Sequence, residues 1–206
     1  MILYCVRHGE STYNAEGRVQ GQSDVPLSER GRRQGEAVAA AMAHLPIDAI
    51  YSSPLRRALE TARVVAEPLG LEVQTDPRLM EVNAGIFQDK LRSDLERLHP
   101  EDFARWTSGD TDFVIPGGES RRVLARRGLE ALEAIRRTDH QHVAVVAHGR
   151  LLVVTFQALM KFPADVALQN GSITRISFDG NARAELLSPN EVDHLSNVGL
   201  GGEGDL

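Results

Sequence analysis

The chain has 206 residues, of which 42% are hydrophobic and 25% are charged, and this is enough for one globular domain with a full core. Its formal charge of −6 at pH 7 argues against nucleic acid as a partner, because such proteins need a basic face to neutralise phosphates. The single cysteine, Cys5, excludes an intrachain disulfide, and no apolar run approaches the roughly 20 residues that cross a bilayer. We therefore expect one cytoplasmic domain over residues 1–206, with no signal peptide and no membrane contact.

Apolar runs and helical periodicity alternate along the chain. Strands are predicted, in chain order, at 2–6, 48–52, 71–75, 143–147, 172–178 and 182–187. Helices are predicted at 28–45, 53–69, 120–137 and 151–160. Ser28 is the expected N-cap of the first helix, and Ser53 followed by Pro54 is the expected start of the second. The last helix is apolar nearly all round, which indicates that it is buried.

Strands that alternate with helices indicate an α/β fold with a doubly wound, mostly parallel sheet. Region 85–118 interrupts the alternation with short helical signals, and we expect it to form a helical cap inserted between units of the core. Its aromatic residues Phe87, Phe103 and Trp106 are expected to form the core of that cap. The glycine-rich tail, 196–206, is expected to be flexible.

Two of the predicted strands lead into the same dipeptide, His-Gly. The first runs into Arg7-His8-Gly9-Glu10, and strand 143–147 runs into His148-Gly149. In an open α/β sheet, ligands bind just beyond the carboxyl ends of the strands. We therefore expect His8 and His148 to meet in one crevice.

Arg56 and Arg57 lie in the first turn of their predicted helix, where the helix dipole already favours negative charge. The conflict disappears if the helix start and its arginines together face an anion. Two solvated arginines on an exposed turn are the alternative. In the first interpretation Arg7 and Arg57 supply forked donors to a phosphate group, and His148 and Asn14 add further donors.

Such a pocket next to a histidine predicts nucleophilic catalysis on phosphorus. His8 is the predicted nucleophile, because a neutral imidazole attacks in line when its other ring nitrogen donates to a fixed acceptor. Glu81, after the predicted edge strand, is the predicted general acid and then base, with Glu10, Asp89 and Glu119 as alternatives. The arginines carry the charge stabilisation that Mg²⁺ supplies elsewhere, so neither a metal nor another cofactor is expected.

The ordered motifs resemble those of the histidine phosphatase superfamily, also called phosphoglycerate-mutase-like. The matching stretches are Arg7 to Glu10 with Ser11, Thr12 and Asn14; Gly21, Asp24, Pro26 and Leu27; Ser52 to Ala58 with Thr61 and Ala62; Leu79 to Glu81 with Gly85; Pro116 to Ser120; and Ala147 to Gly149. A lone Arg-His-Gly is a weak signal, but this many motifs in order are a strong one.

The resemblance implies a three-layer α/β sandwich with a cap, a phosphohistidine at His8, and Glu81 as the proton donor. The residues that it implies around the phosphate are Arg7, Asn14, Gly21, Arg57 and His148. The chain also departs from the pattern, since Phe87-Gln88-Asp89 stands where many phosphatase members have an aromatic residue followed by Glu-Gly. Arg150 stands where small residues are common.

The expected function is therefore that of a histidine acid-type phosphatase, a metal-independent phosphomonoesterase acting on a small phosphorylated metabolite through a phosphohistidine. A cofactor-dependent phosphoglycerate mutase is the first alternative, but such a mutase usually closes its site with a longer C-terminal segment. A non-catalytic regulatory domain that binds a phosphate ligand is the second, although it would not need a nucleophile. Lys90, Arg92 and Arg105 are candidates to hold a substrate carboxylate, and a homodimer is the base-rate expectation.

Overall fold

Within residues 1–163 and 166–200, which the computed structural model describes, six strands form one sheet. The strands are β1 (Ile2–Arg7), β2 (Ala49–Ser52), β3 (Val73–Thr75), β4 (His142–Ala147), β5 (Ile173–Phe178) and β6 (Ala184–Glu191). The α-helices are α1 (Thr12–Glu16), α2 (Glu29–Met42), α3 (Arg56–Leu69), α4 (Arg92–Leu98), α5 (Pro100–Thr107), α6 (Arg121–Arg136) and α7 (Gly149–Leu159). Short 3₁₀ turns lie at Pro77–Leu79, Gly85–Phe87 and Asp193–Leu195.

The sheet has the strand order β3-β2-β4-β1-β5-β6. The first four strands in this order are parallel to one another, whereas β5 runs antiparallel to β1 and β6 runs antiparallel to β5. The central strands β1 and β4 pair in register up to Arg7 opposite Ala147. The residues that follow these two strands therefore lie side by side at one edge of the sheet. The prediction of a mostly parallel sheet is confirmed.

Helices cover both faces of the sheet. Successive side chains of a strand point to opposite faces, so Leu3 and Cys5 of β1 join one core cluster while Tyr4 and Val6 join the other. Helices α2 and α3 pack on the Tyr4 and Val6 face, and α6 and α7 pack on the Leu3 and Cys5 face. This arrangement confirms the predicted three-layer, doubly wound sandwich.

The helix that follows the second histidine is the most apolar of the fold. α7 has 11 residues, and its buried side chains include Leu151, Leu152, Val154 and Phe156, as its composition predicted. In the described ranges of the chain, no helix is both long enough and apolar enough to cross a membrane.

Two helix starts differ from the sequence prediction. α1 was not among the predicted helices, because its five residues carry no apolar periodicity and Ser11 caps it through a short polar capping box. α3 begins at Arg56 with Leu55 as its N-cap, so the predicted start at Ser53 is wrong. The hydroxyl of Ser53 has another partner, which belongs to the candidate site.

Region 85–118 forms the predicted helical cap. α4 and α5 supply Leu95 and Trp106, which pack with Phe87 into the same core cluster as α6 and α7. Each of these three side chains is at most 1% exposed, and Phe103 contacts Phe87 edge to face with ring centroids 6.1 Å apart. Phe87 and Trp106 therefore join the main core of the protein, and Phe103 packs against it partly buried.

The start of the predicted tail is attached to the body of the protein. Leu195 is buried in the turn before it, and the Gln34 side chain of α2 donates its Nε2 to the Gly199 carbonyl at 3.1 Å. The segment up to residue 200 therefore lies along α2. Residues 201–206, the remainder of the tail predicted to be flexible, lie outside the described residues.

Candidate active site

The two predicted histidines lie together at the edge of the sheet. The backbone N–H of His8 donates to the Ala147 carbonyl at 3.0 Å, which extends the β1–β4 pairing by one residue. The rings of His8 and His148 contact edge to face with centroids 5.0 Å apart, and both side chains are fully buried. The expectation that the two strand ends converge in one crevice is confirmed.

The hydrogen bonds of His8 assign the state of its ring. Nδ1 lies 2.6 Å from the Gly9 carbonyl oxygen, which only accepts, so Nδ1 carries the proton. Nε2 lies 3.2 Å from Nε of Arg57, which only donates, so Nε2 presents its lone pair. His8 is therefore a neutral imidazole with a fixed orientation and a basic Nε2 in the site.

Arg57 is fully buried at the start of α3, although a neighbouring arginine of the same turn is exposed. Its guanidinium donates to the carbonyls of Ser23 and Gly21, both at 2.8 Å, while Nε faces His8. Arg56 instead pairs with Glu60 at 2.6 Å and is 54% exposed. Each of the two alternatives therefore holds for one arginine: Arg57 enters the site, and Arg56 is solvated.

Gly21 contributes through its backbone. Its carbonyl orients Arg57, and its φ of +51° lies in the left-handed region that favours glycine. A Cβ at this position would approach the Ala84 Cβ to 2.7 Å and the Gln88 Oε1 to 2.8 Å. The structure therefore gives the predicted binding residue Gly21 a positioning contact with a site arginine.

Arg7 and Asn14 are held by a segment far along the chain. Nη1 of Arg7 donates to the Leu168 carbonyl, and the side chain is 7% exposed. Nδ2 of Asn170 donates to the His8 carbonyl at 3.1 Å and to Oδ1 of Asn14 at 3.2 Å. Asn170 thus joins the His8 backbone to a predicted binding residue, a contact that sequence analysis missed.

The Glu81 carboxylate lies at the start of α7. Oε1 accepts from the backbone N–H of Val82 at 2.8 Å and of Leu151 at 3.0 Å, and Oε2 accepts from that of Arg150 at 3.1 Å. Arg150 and Leu151 belong to the first turn of α7, and His148 is the N-cap of this helix. The start of α7 therefore binds the carboxylate of the predicted acid and also carries the second histidine.

The backbone around Glu81 is fixed by Arg127 of α6. This arginine donates to the carbonyls of Arg78 at 2.9 Å, of Met80, and of Glu81 at 2.7 Å. It also pairs with Glu119 at 2.7 Å. Arg127 lies beside the buried stripe of its helix and is 17% exposed, but no motif marks it, so sequence analysis did not identify it.

The three alternative acids are engaged elsewhere. Glu10 accepts from the Ser28 hydroxyl at 2.6 Å, at the start of α2. Glu119 bonds to Arg127 through both of its oxygens, at 2.7 and 3.2 Å. Asp89 is exposed on the surface of the cap. These contacts favour Glu81 as the acid.

His148 is oriented by Ser53. The Ser53 hydroxyl accepts from the Leu55 N–H at 3.2 Å, so its own proton is available for His148 Nε2 at 2.8 Å. With the hydroxyl as the donor, the ring proton of His148 lies on Nδ1, a buried atom for which the described residues provide no hydrogen-bond partner. Burial, together with the charge of Arg57, lowers the pKa of His148 well below 6.5. In this tautomer His148 is a neutral ring whose Nδ1–H can donate.

The lowered pKa of His148 predicts a specific acid sensitivity. Below pH 6.5 the unfolded chain binds a proton at His148 that the folded protein does not, so the free energy of unfolding falls as pH falls. This residue alone contributes a slope of up to about 1.4 kcal/mol per pH unit. In urea unfolding between pH 6.5 and 5, the His148→Gln variant is expected to have the shallower slope. Equal slopes for the two proteins would contradict the assignment of a neutral, buried ring.

Across the described ranges, no group of three or more His, Cys, Asp or Glu side chains is arranged to hold a metal ion. His140, on the loop before β4, instead lies 3.8 Å from an oxygen of Asp48, and His142 contacts the Tyr4 hydroxyl at 3.3 Å.

Several solved structures share this fold, and two of those described here are named as phosphatases. A mycobacterial glucosyl-3-phosphoglycerate phosphatase, solved with VO3, is 34% identical, has a TM-score of 0.83, and aligns over 92% of this chain and 98% of its own. The α-ribazole phosphatase of Shigella flexneri is 26% identical with a TM-score of 0.82, over 93% and 96% of the two chains. YhfR of Bacillus stearothermophilus is 28% identical with a TM-score of 0.86, over 95% and 99%.

Sequence comparison also finds relatives that align with most of the chain. A probable phosphoglycerate mutase GpmB of Yersinia pestis (strain Pestoides F) is 36% identical over 185 residues, which is 85% of this chain and 84% of that protein. The model of the histidine phosphatase superfamily (branch 1) matches residues 3–191, a range that includes every residue of the site described above. The chain is thus a member of the histidine phosphatase superfamily, branch 1.

Proposed function

We propose that the protein is a phosphomonoesterase that hydrolyses a small phosphorylated metabolite through a phosphohistidine at His8. The observation that carries the proposal is the state of the His8 ring, with the proton fixed on Nδ1 by the Gly9 carbonyl and the lone pair of Nε2 directed toward Arg57. A ring in this state is ready to attack an anion that binds to the arginine. The phosphatase names among its structural relatives support the same reaction class.

In the first step the Nε2 lone pair of His8 forms a bond to phosphorus as the ester P–O bond breaks. The electron pair of that bond leaves with the alcohol oxygen, which takes a proton from Glu81. The positive charge that develops on the His8 ring is delocalised to Nδ1–H, whose acceptor is the Gly9 carbonyl. Phosphohistidine and free alcohol are the products of this step.

In the second step Glu81, now ionised, takes a proton from a water molecule. The water oxygen forms a bond to phosphorus, the P–N bond breaks, and its electron pair returns to Nε2 of His8. Three backbone amides fix the position of the Glu81 carboxyl group, which takes part in both steps. Inorganic phosphate leaves, and the enzyme regains its starting protonation.

Positive charge and neutral donors stabilise the phosphoryl oxygens in both steps. Arg7 and Arg57 are buried cations at the end of β1 and the start of α3, where little water screens their attraction for an anion. Nδ1–H of His148 is a buried donor that lacks a partner among the described residues, and a phosphoryl oxygen would satisfy it. Burial lowers the pKa of His148 most, and Arg57 and Arg7, whose charges lower it further, would also attract the substrate phosphate.

A phosphoglycerate mutase is the second candidate, and the similarity to GpmB is the observation that favours it. A mutase would return the phosphoryl group from His8 to a phosphoglycerate before water attacks. Hydrolysis and mutase activity use the same phosphohistidine, so they differ in the acceptor of the second step.

One assay compares the two activities. The protein is given p-nitrophenyl phosphate, and separately 3-phosphoglycerate with catalytic 2,3-bisphosphoglycerate, each with and without EDTA. Our proposal expects release of inorganic phosphate that persists in EDTA. Interconversion of phosphoglycerates without release would support the mutase. An absence of turnover across a broad panel of phosphate esters would overturn both enzymatic functions and leave a phosphate-binding regulatory domain.

The acid role of Glu81 predicts a dependence on the leaving group. Glu81→Gln keeps one oxygen that can accept from the amides of Val82 and Leu151, places an NH2 group opposite the Arg150 amide, and removes the transferable proton. We expect this variant to slow hydrolysis of an alkyl phosphate by about 10²- to 10⁴-fold, and that of p-nitrophenyl phosphate far less, because nitrophenolate leaves without protonation. Steady-state rates on the two esters test this, and equal losses on both would remove Glu81 from the acid role.

A further inference from the structure

Two arginines lie against the buried Trp106 of the cap, next to the candidate catalytic site. The guanidinium carbon of Arg121, in the first turn of α6, is 4.6 Å from the centroid of the Trp106 ring, and that of Arg150, in α7, is 5.9 Å from it. Trp106 is 1% exposed, and its indole Nε1 is buried without a hydrogen-bond partner among the described residues. Two guanidinium groups therefore lie against one buried ring, and the indole N–H of that ring has no hydrogen-bond partner among the described residues.

The positive charge of Arg121 is not balanced by an acid within the described chain. Its Nη2 donates to the Trp106 carbonyl at 2.6 Å, and its Nε is buried without a partner there. Burial and the charge of Arg150 lower the pKa of Arg121 to about 10, which leaves the guanidinium charged at neutral pH. Because burial and the neighbouring guanidinium both disfavour the charge of Arg121, an anion placed beside Arg121 would be favourable.

The backbone of Arg150 links the arginine pair to the predicted acid. The backbone N–H of Arg150 donates to Oε2 of Glu81, the predicted donor to the leaving oxygen, and His148 is two residues before Arg150. A substituent carried by the departing alcohol would extend past Glu81 toward these side chains.

We infer that Arg121 and Arg150, with Trp106 between cap and core, form a second anion subsite that binds an acidic group on the alcohol part of the substrate. This inference rests on the function proposed above and narrows it to substrates that carry an acidic group besides the scissile phosphate. A carboxylate and a second phosphate share the chemistry that a guanidinium recognises, since both accept two parallel hydrogen bonds. The cap residue Arg105, a sequence candidate for holding a carboxylate, is instead paired with Asp110 at 2.9 Å and is 60% exposed.

Matched esters test the subsite. 3-Phosphoglycerate and glycerol 3-phosphate differ by a carboxylate in place of a hydroxymethyl group, and fructose 1,6-bisphosphate and fructose 1-phosphate differ by the second phosphate. We expect the native protein to prefer the acidic member of at least one pair by tenfold or more in kcat/KM, because charge-assisted hydrogen bonds are worth roughly that much or more. The pair that shows the preference identifies the anion.

Three variants assign the preference to Arg121. Arg121→Gln should reduce it about tenfold, mainly through KM of the acidic ester, and leave kcat/KM of the neutral ester within about threefold. Arg121→Lys keeps the charge and should retain part of the preference. Arg126→Gln is the matched control, because it removes the same charge from an exposed site on the same helix, 73% exposed and 4.0 Å from Glu130; it should leave the preference unchanged.

Binding measurements test the second anion subsite independently of hydrolysis. Calorimetric titration of the four esters into the His8→Ala protein, with and without Arg121→Gln, measures the same preference as a ratio of dissociation constants. An Arg121-dependent ratio for either pair supports the subsite even if no hydrolysis occurs, in which case only the proposed function fails. Equal binding within both pairs, or a preference that Arg121→Gln leaves intact, overturns the subsite while hydrolysis of p-nitrophenyl phosphate can still stand.

Discussion

Replacement of His8 by alanine is expected to lower turnover of p-nitrophenyl phosphate by at least about 10⁴-fold, because it removes the atom that forms the bond to phosphorus. The remaining pocket, with Arg7, Arg57 and His148, still binds phosphate, so affinity for inorganic phosphate should change far less than turnover. Rates from steady-state kinetics and dissociation constants from calorimetry give the two quantities.

His140→Ala is the matched control for this variant. His140 lies on the loop before β4, at the other end of the strands from the site, and its near neighbour is Asp48 at 3.8 Å. This control should turn over substrate at the native rate. If His8→Ala retained more than about a hundredth of the native rate, His8 could not be the nucleophile.

The second large effect is expected from the arginines at the start of α3. Arg57→Gln should lower kcat/KM by about 10²- to 10³-fold, as does the loss of a buried donor from other sites that stabilise a transition-state anion. Arg56→Gln, one residue away, removes the same formal charge from a side chain that is 54% exposed and paired with Glu60, so it should stay within about twofold.

The comparison of these two variants separates the effect of losing a direct contact from the effect of losing one positive charge. Arg57→Gln also leaves the carbonyls of Gly21 and Ser23 without their donor, so the free energy of unfolding must be measured beside the kinetics. A folded Arg57→Gln protein with native kcat/KM would contradict the pocket. Equal losses in the two variants would mean that the charge acts at long range rather than by contact.

The convergence of the site was predictable because it depends on the ends of parallel strands. His8 and His148 each follow an apolar strand directly, and neighbouring parallel strands bring such positions to one edge. Arg57 was identifiable from a local conflict, since a cation in the first turn of a helix is unfavourable unless it faces an anion. Fold class followed from alternating strands and helices.

The supporting contacts were not predictable, because they join residues distant in sequence or use residues with an ordinary local explanation. Ser53 reads as a helix N-cap, whereas its hydroxyl contacts His148, 95 residues away. Asn170 bonds to the carbonyl of His8, 162 residues away. No periodicity links Arg121 to Trp106, so the second cationic cluster became visible only when α5, α6 and α7 were packed together.

The phosphohistidine at His8 is the central claim, and its direct detection is the most stringent test. The protein is mixed with substrate, quenched in alkaline denaturant during turnover, digested, and examined by mass spectrometry for phosphoryl groups on histidine. We expect a phosphoryl group on the peptide that contains His8, formed as fast as turnover requires and absent from the His8→Ala protein. Phosphate release without any phosphoryl group on His8, or with the group on His148 instead, would contradict the mechanism.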